Sequence, residues 1–417
     1  MVGEAVRADF PILARRFDGR PLVYFDNAAT TQKPVPVLDA MRDYYETANS
    51  NVGRGYYRLS FAATDAYEHS REVVRRALNA EHIDEIVFTP GTTAAVNLLA
   101  DTFGRGVVGA GDQVVVSGME HNSNLLPWRR LCETVGAELV VLAGEDATGR
   151  LDPERLAEAL PGRVRMVALT HVSNVVGTVN PVRELVAQAH RHGIPVVVDG
   201  AQAVPHWPVD VRDLDADFYV FSGHKVYGPM GVGVLYGRRA LLAELPPYQV
   251  GGGTVKAVTL TDPVRYVPVP ARLEAGTPNV AAAVGLGAAL EYLDKLGWDA
   301  IGRHHDTLVR TAVRLLGELP HAQVLGDPTV QPAGIVSITV PGIHPYDVGS
   351  HLDEHGIAVR SGVHCANPFV DALGVVGTVR LSFAVYNTER ELHHLQRVLA
   401  TVQPGQWTRD HPNERFL

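Results

Sequence analysis

The sequence predicts an α/β protein, a large doubly wound mixed sheet of seven strands followed by a smaller α+β unit. Three observations carry this. From residue 85 onward, short β-branched runs alternate with amphipathic segments. The runs are almost continuously apolar, as strands covered on both faces are. Near residue 286 the pattern changes to long helical stretches followed by shorter, more polar strands.

The large sheet is expected to use 85–89, 113–118, 138–143, 164–172, 194–201, 217–223 and 232–237. Between them lie segments such as PVRELVAQAHRHG (181–193), which starts at Pro and stops at Gly as helices tend to. The smaller unit is expected to hold one long helix over 284–319, a strand at 334–340, a helix at 345–356, and strands at 357–362 and 378–388. Alternating polarity in 378–388 predicts one solvated face there. The length of 417 residues favours two domains. The expected division is 22–285 for the larger, and 1–21 with 286–417 for the smaller, whose polar tail 403–417 is expected to be loosely held.

Net charge is −9 with no long basic run, which argues against nucleic acid or an anionic membrane as partner. No apolar stretch approaches the roughly 20 residues that span a bilayer. The opening MVGEAVRADFPIL lacks a signal-peptide pattern, so a cytoplasmic location is expected. Two cysteines, Cys132 and Cys365, do not make a disulfide scaffold. Cys132 sits in a helical stretch and reads as a small buried hydrophobe.

The chemistry starts from FSGHKVYGP. The chain has four lysines, Lys33, Lys225, Lys256 and Lys295, among 37 basic residues. A lysine kept in a Gly-flanked turn between two apolar strands points to an amine used as a nucleophile, because arginine cannot be deprotonated. Other informative residues also fall at strand ends. Gly91-Thr92-Thr93 before a helix forms either a phosphate cradle or an ordinary N-cap. His121 follows a strand. Asp199 ends a strongly apolar one, with Gln202 three residues on. Ser222, His224 and Lys225 share one turn. Each signal has a bland explanation, but together they come from one edge of one sheet, where α/β proteins bind ligands. Pyridoxal 5′-phosphate uses all of these groups: a phosphate, an aldehyde that condenses with lysine, and a ring nitrogen that works best protonated against a carboxylate.

The blocks YFDNAATTQKP, GTTAAVNL, EHNSNLLPW, THVSNVVGT, VDGAQAVPH, FSGHKVYGPMGVGVLYG, EAGTPN and RSGVHCANP…VRLSFAVYNT then occur in order. This series resembles class V aminotransferase-fold enzymes, and within them SUF-type (group II) cysteine desulfurases of PLP fold type I. The resemblance covers roughly residues 5 to 402. It implies that Lys225 carries the cofactor, Asp199 pairs with the pyridine nitrogen, Gln202 bonds the ring hydroxyl and His121 stacks on the ring. Thr92, Thr93, Ser222 and His224 would hold the phosphate, and Thr277 would reach the phosphate site of a second subunit in a homodimer. Asn174 would lie near the ring. Arg380 would clamp the substrate carboxylate, with Ala29, Arg360 and His364 beside it. Cys365, fifteen residues before Arg380, matches the nucleophilic cysteine, and the short spacing fits group II. Its thiolate would take sulfur from L-cysteine, leaving a persulfide and releasing L-alanine. His364 is the nearest candidate to assist that thiol.

Four stretches depart from the family pattern: Gly53-Arg54-Gly55, Val363 before His364-Cys365, GGGTVK at 251–256, and Tyr346 in His344-Pro345-Tyr346-Asp347. They are expected near the mouth of the site or on a partner-facing surface, and they bear on the sulfur acceptor and on the substrate rather than on the cofactor. The resemblance implies a sulfur-acceptor protein as partner, for iron–sulfur assembly or a specialised pathway, with no metal in the site. Selenocysteine lyase, carbon–sulfur lyase, epimerase or aminotransferase activity on the same cofactor is the alternative, since these need Lys225 and Asp199 but not Cys365. A non-catalytic assembly subunit is a third reading, opposed by the intact Lys225, Asp199, His121 and Arg380.

Overall fold

The computed structural model describes residues 2–53, 55–144, 148–326 and 333–402. Arg54 and the tail 403–417 lie outside the described residues.

All seven expected strands form one sheet: β1 (Ile86–Thr89), β2 (Gln113–Ser117), β3 (Glu138–Leu142), β4 (Val164–Thr170), β5 (Val196–Asp199), β6 (Phe218–Ser222) and β7 (Gly233–Gly237). Their spatial order is β1-β7-β6-β5-β4-β2-β3. β7 runs antiparallel to both its neighbours and the other pairings are parallel, which makes the sheet mixed. The continuous apolar runs are explained by two covers. Phe88, Val115, Val167, Val198 and Phe221 enter one apolar cluster, while Val87, Val116, Ala168, Val197 and Val220 enter another on the opposite face. That second cluster includes Leu98 of α3 (Thr92–Leu99) and Trp128 and Cys132 of α4 (Asn122–Val135). The first face is covered by α1 (Val35–Thr47), α2 (Arg58–Ala77), α5 (Val182–Arg191) and α6 (Val280–Leu296).

The single long helix expected over 284–319 is two helices. α6 ends at Leu296 and α7 spans Trp298–Gly317. Gly297 has φ 85°, a left-handed conformation that stops one helix and redirects the chain into the next. Beyond it, β8 (Gln323–Val324), β9 (Ile335–Thr339), β10 (Arg360–Gly362) and β11 (Thr378–Ser382) form an antiparallel sheet in the order β8-β9-β11-β10. It packs with α7, α8 (Pro345–Glu354) and α9 (Glu389–Leu399) around Val336, Ile338, Leu352, Val379, Leu381 and Leu395.

β11 has no solvated face, because all five of its residues are buried. Val379 and Leu381 enter the smaller core. The alternate residues Thr378, Arg380 and Ser382 bond His364, Asp26 and the Ala28 N–H respectively. The polar face is buried against the cysteine turn, the 26–28 segment and, through Arg380, the Asn174 loop after β4, and that places it at the site. The first residues bridge the two cores: the Gly3 N–H donates to Val385, Arg7 pairs with Glu391 at 2.7 Å, and Phe10 stacks edge-on against Tyr386.

Candidate active site

Five strand ends of the large sheet point their following loops at one cavity of about 220 Å³. β1 leads into Thr92 and Thr93, β2 into His121, β4 into Asn174, β5 into Asp199 and Gln202, and β6 into Ser222, His224 and Lys225. The opposite wall comes from the smaller sheet: Arg360 of β10, Arg380 of β11 and the turn carrying His364 and Cys365. Ala29 closes one side. Every candidate from the sequence lines this cavity except Thr277. That residue is exposed and lines a separate groove with Tyr67, Phe88 and Glu274.

At one end the helix start of α3 is presented to the cavity. The Thr92 N–H donates to Ser222 Oγ at 2.9 Å, and the two hydroxyls lie 2.9 Å apart. Thr93 Oγ1 is 2.7 Å from Ser123 Oγ. A helix N-terminus and several hydroxyls suit a phosphate. His224 adds a buried Nδ1 that has no partner.

At the centre are His121, Asp199 and Lys225. His121 caps α4, its Nδ1 accepting from the Ser123 N–H at 3.1 Å, and burial followed by the charge of Lys225 lowers its pKa to about 3. It is therefore a neutral imidazole. Asp199 is buried and accepts from the Ala201 N–H at 2.9 Å; burial pushes its carboxyl up while Lys225 opposes that. A buried carboxylate of this kind calls for a cationic partner. Lys225 is brought down to about 8, mainly by burial, against the raising effect of Asp199. Gln202 Nε2 donates to the Ala28 carbonyl at 2.8 Å, so the group it offers the cavity is its amide oxygen.

At the far end Arg380 is almost fully buried. Its Nη1 donates to the Asn174 carbonyl at 2.9 Å, and Nη2 pairs with Asp26 at 3.2 Å. Its Nε is buried without a partner. Cys365 is exposed, at the tip of a turn whose two central residues, His364 and Cys365, have φ 56° and 54°. The turn is closed by the Ala366 N–H donating to Val363 at 3.0 Å. Its backbone is pinned twice: the Asn122 N–H donates to the Cys365 carbonyl and Asn174 Nδ2 to the His364 carbonyl, both at 2.7 Å. The thiol is thus open while its backbone is fixed.

One ring nitrogen of His364 is held by the neighbouring strand, and the other, Nδ1, is buried without a partner. The residue lines the cavity, but it is buried, burial pushes its pKa well below the ordinary value, and its Nε2 is bonded to Thr378 Oγ1 at 2.6 Å.

Of the departures, Tyr346 does not line the cavity and packs behind Gly362, where an added Cβ would come 3.0 Å from its hydroxyl. Val363 packs with Met119, Val175 and Phe369 beneath the cysteine turn. Gly53, Gly252 and Gly253 line one groove with Thr277. The sequence reading missed Ser123, Asp26 and Glu120. Glu120, fully buried below His121, accepts from Asn124 Nδ2 and the Thr170 N–H at 2.7 Å each. Its place beside His121 in the MEHN stretch was the available signal.

Comparison with known proteins agrees with this geometry. The family described as aminotransferase class-V matches residues 23–395. A cysteine desulfurase of Salmonella agona (strain SL483) is 47% identical over 400 residues, covering 96% of this chain and 98% of that one. Among solved structures, an apo cysteine desulfurase from Thermococcus onnurineus NA1 superposes with a TM-score of 0.91 at 41% identity, covering 96% of this chain and 98% of the other. The cysteine desulfurase CsdA (S-sulfonic acid) from Escherichia coli gives a TM-score of 0.86 at 38% identity, with 94% and 96% covered. Identity at this level and coverage of both chains leave one conclusion: the chain belongs to the class-V aminotransferase family and, within it, groups with the cysteine desulfurases.

Proposed function

We propose that the protein is a pyridoxal-phosphate-dependent L-cysteine desulfurase of the SUF-type (group II) kind, which passes sulfur from Cys365 to an acceptor protein. The observation that carries this reading is the cavity itself. A buried amine, a buried carboxylate and a neutral imidazole face an open thiol across about 220 Å³. The short cysteine turn, pinned at both its central carbonyls, supports the group II assignment.

The residues present fit the cofactor. The unpartnered His224 Nδ1 beside Thr92, Thr93 and Ser222 suits a phosphate. Asp199 would hold the ring nitrogen, Gln202 the ring hydroxyl, His121 the ring face and Lys225 the aldehyde carbon, with Asn174 at the ring's edge. Bound pyridoxal phosphate supplies an electron sink for charge that develops on the amino acid's carbons. The chain's own groups do the rest. The unpartnered Nε of Arg380 offers a donor to the substrate carboxylate, next to Arg360, His364 and Ala29. The Lys225 amine, which burial brings to about 8, would carry protons to and from the amino acid's carbons. The Cys365 thiolate attacks the substrate sulfur. An S–S bond forms as the carbon–sulfur bond breaks, leaving a persulfide on Cys365 and, after protonation at carbon, L-alanine.

The exposed position of Thr277, beside the apolar groove of Tyr67 and Phe88, supports a homodimer in which it serves the second subunit's phosphate site. The division into 22–285 and 1–21 with 286–417 belongs to the same reading. Separate apolar clusters support it, although Val23 and Phe25 join the smaller cluster and Val6 and Phe10 the larger. No helix among the described residues is long and apolar enough to cross a membrane, and a cytoplasmic enzyme serving iron–sulfur assembly or a specialised sulfur pathway is part of the proposal.

The test is stoichiometry. Purified protein given L-cysteine and a reducing thiol should release alanine and sulfide in equal amounts. Ammonia and pyruvate in place of alanine would instead indicate a carbon–sulfur lyase.

Asp199→Asn keeps the shape of the strand end but removes the charge that holds a ring nitrogen protonated. The expected result is a folded, cofactor-bearing protein with turnover down by about 10²-fold, the scale of a lost preorganised electrostatic partner. Turnover within about twofold of wild type would show that the ring is held by another group.

A further inference from the structure

We infer that Asp26 is a positioning residue for the substrate carboxylate, holding Arg380 so that its Nε edge faces the cavity; this rests on the carboxylate-binding reading of Arg380. The reason begins with register. Arg360 of β10 and Arg380 of β11 are direct partners across an antiparallel ladder. Like charges placed opposite one another in a sheet repel. Here one of them, Arg380, is also almost fully buried, with 3% of its side chain exposed.

Asp26 is brought between them by the backbone. Val23–Tyr24 pairs in parallel with Ile357–Ala358 next to β10, and the chain then crosses to β11. There the Ser382 N–H donates to the Phe25 carbonyl at 2.7 Å, and Asp26 bridges to Ser382. One carboxylate oxygen is 3.2 Å from Arg380 Nη2 and the other 3.9 Å from Arg360 Nη1. Asn174 takes Nη1 of Arg380 through its carbonyl at 2.9 Å. One N–H of each terminal nitrogen of the guanidinium is therefore taken, Nη1 by the Asn174 carbonyl and Nη2 by Asp26. The nitrogen with no acceptor at all is Nε, which is buried. A buried unpaired N–H on a charged group is costly, and an incoming carboxylate relieves it. Asp26 does not line the cavity, so it acts through Arg380 and not on substrate.

The experiment separates the carboxylate from the rest of the ligand. The cofactor-loaded enzyme is titrated with L-alanine and with ethylamine, which lacks the carboxylate, while the visible absorbance is followed. Asp26→Asn should weaken L-alanine by about tenfold or more, the worth of about one charge-assisted contact, and leave ethylamine within about twofold. Arg380→Ala should give the same pattern, and the combined variant should lose no more than Arg380→Ala alone, because both act on one interaction. Equal weakening of both amines in Asp26→Asn, or fully additive losses in the combined variant, would overturn the inference. Normal L-alanine binding by Asp26→Asn beside weak binding by Arg380→Ala would overturn it too, while leaving Arg380 as the clamp. Normal L-alanine binding by Arg380→Ala would remove the carboxylate reading and this inference together. Ethylamine affinity and cofactor content report whether each variant is folded, and Asp26→Glu, which restores the charge, should recover part of the L-alanine affinity.

Discussion

Lys225→Ala loses the visible absorbance of lysine-bound cofactor and all measurable turnover of L-cysteine. The expected fall is beyond about 10³-fold, or more than about 4 kcal/mol of barrier. The amine is suited to its work by burial, which brings it to about 8, so that about a tenth of it is neutral at pH 7. An ordinary lysine has only about 0.04% in that form. Uptake of pyridoxal phosphate by the apoprotein should accordingly quicken as pH rises towards about 8 and level off above it. A rate still climbing steeply at pH 10 would mean an unperturbed lysine. Lys225→Arg should fail as completely as the alanine variant, since arginine keeps the charge but offers no nucleophile. The rival amine is Lys33, which burial also lowers to about 8. Its Nζ is occupied, though, by the carbonyls of Thr31 and His224, the latter at 3.0 Å. It fastens the backbone just before Lys225 and does not line the cavity. Borohydride trapping followed by peptide mapping should put the label on Lys225, and a label on Lys33 would reverse the assignment.

That lysine was legible from the sequence for a physical reason. In a chain with 37 basic residues and four lysines, a lysine between two apolar strands has few structural uses. The seven strands were legible because burial on both faces writes each one as an unbroken apolar run, and only their ends differ by a residue or two. The candidate residues were legible because strand ends share an edge of the sheet, so local signals far apart in sequence meet.

What the sequence hid depends on contacts between distant segments. Arg380, Thr378 and Ser382 alternate with Val379 and Leu381, and periodicity alone reports a polar face without saying whether water or a buried site covers it. Asp26 has no local signal beyond its motif. Its part follows from Arg360 standing opposite Arg380, and that register links residues far apart in the chain. His364 was legible as a neighbour of Cys365, but whether its ring turns to the thiol or away is decided by Thr378 on the next strand. The break at Gly297 lay in plain view, yet the helical periodicity carries on across it.

Cys365→Ala should separate the desulfurase from the other activities this cofactor supports. A desulfurase needs a thiolate to take the sulfur, and no other side chain on this cavity supplies one. Cys132, the other cysteine, is buried in α4 within the core of the large sheet. The substitution disturbs little else. Alanine and cysteine share the Cβ that makes the left-handed φ of 54° uncomfortable, so the turn is no more strained than before. The pinning bonds all use backbone atoms of the turn. The variant should therefore bind pyridoxal phosphate normally and still change its absorbance on adding L-cysteine. It should release alanine from L-cysteine at less than about a hundredth of the wild-type rate, a loss above about 2.7 kcal/mol, and carry no persulfide. Cys365→Ser should behave alike, because a hydroxyl is a poor nucleophile towards sulfur. L-selenocysteine is the informative contrast. Its carbon–selenium bond is weaker and its selenium more electrophilic, so an added thiol can attack selenium in place of Cys365; the bonding pair stays on carbon, which is protonated, and release of alanine should survive in Cys365→Ala. The measurement is alanine and protein-bound persulfide from wild type and variant, with each amino acid, with and without an added thiol acceptor. Undiminished desulfuration of L-cysteine by Cys365→Ala would end the persulfide reading and leave a lyase that cleaves the bond without an enzyme thiol.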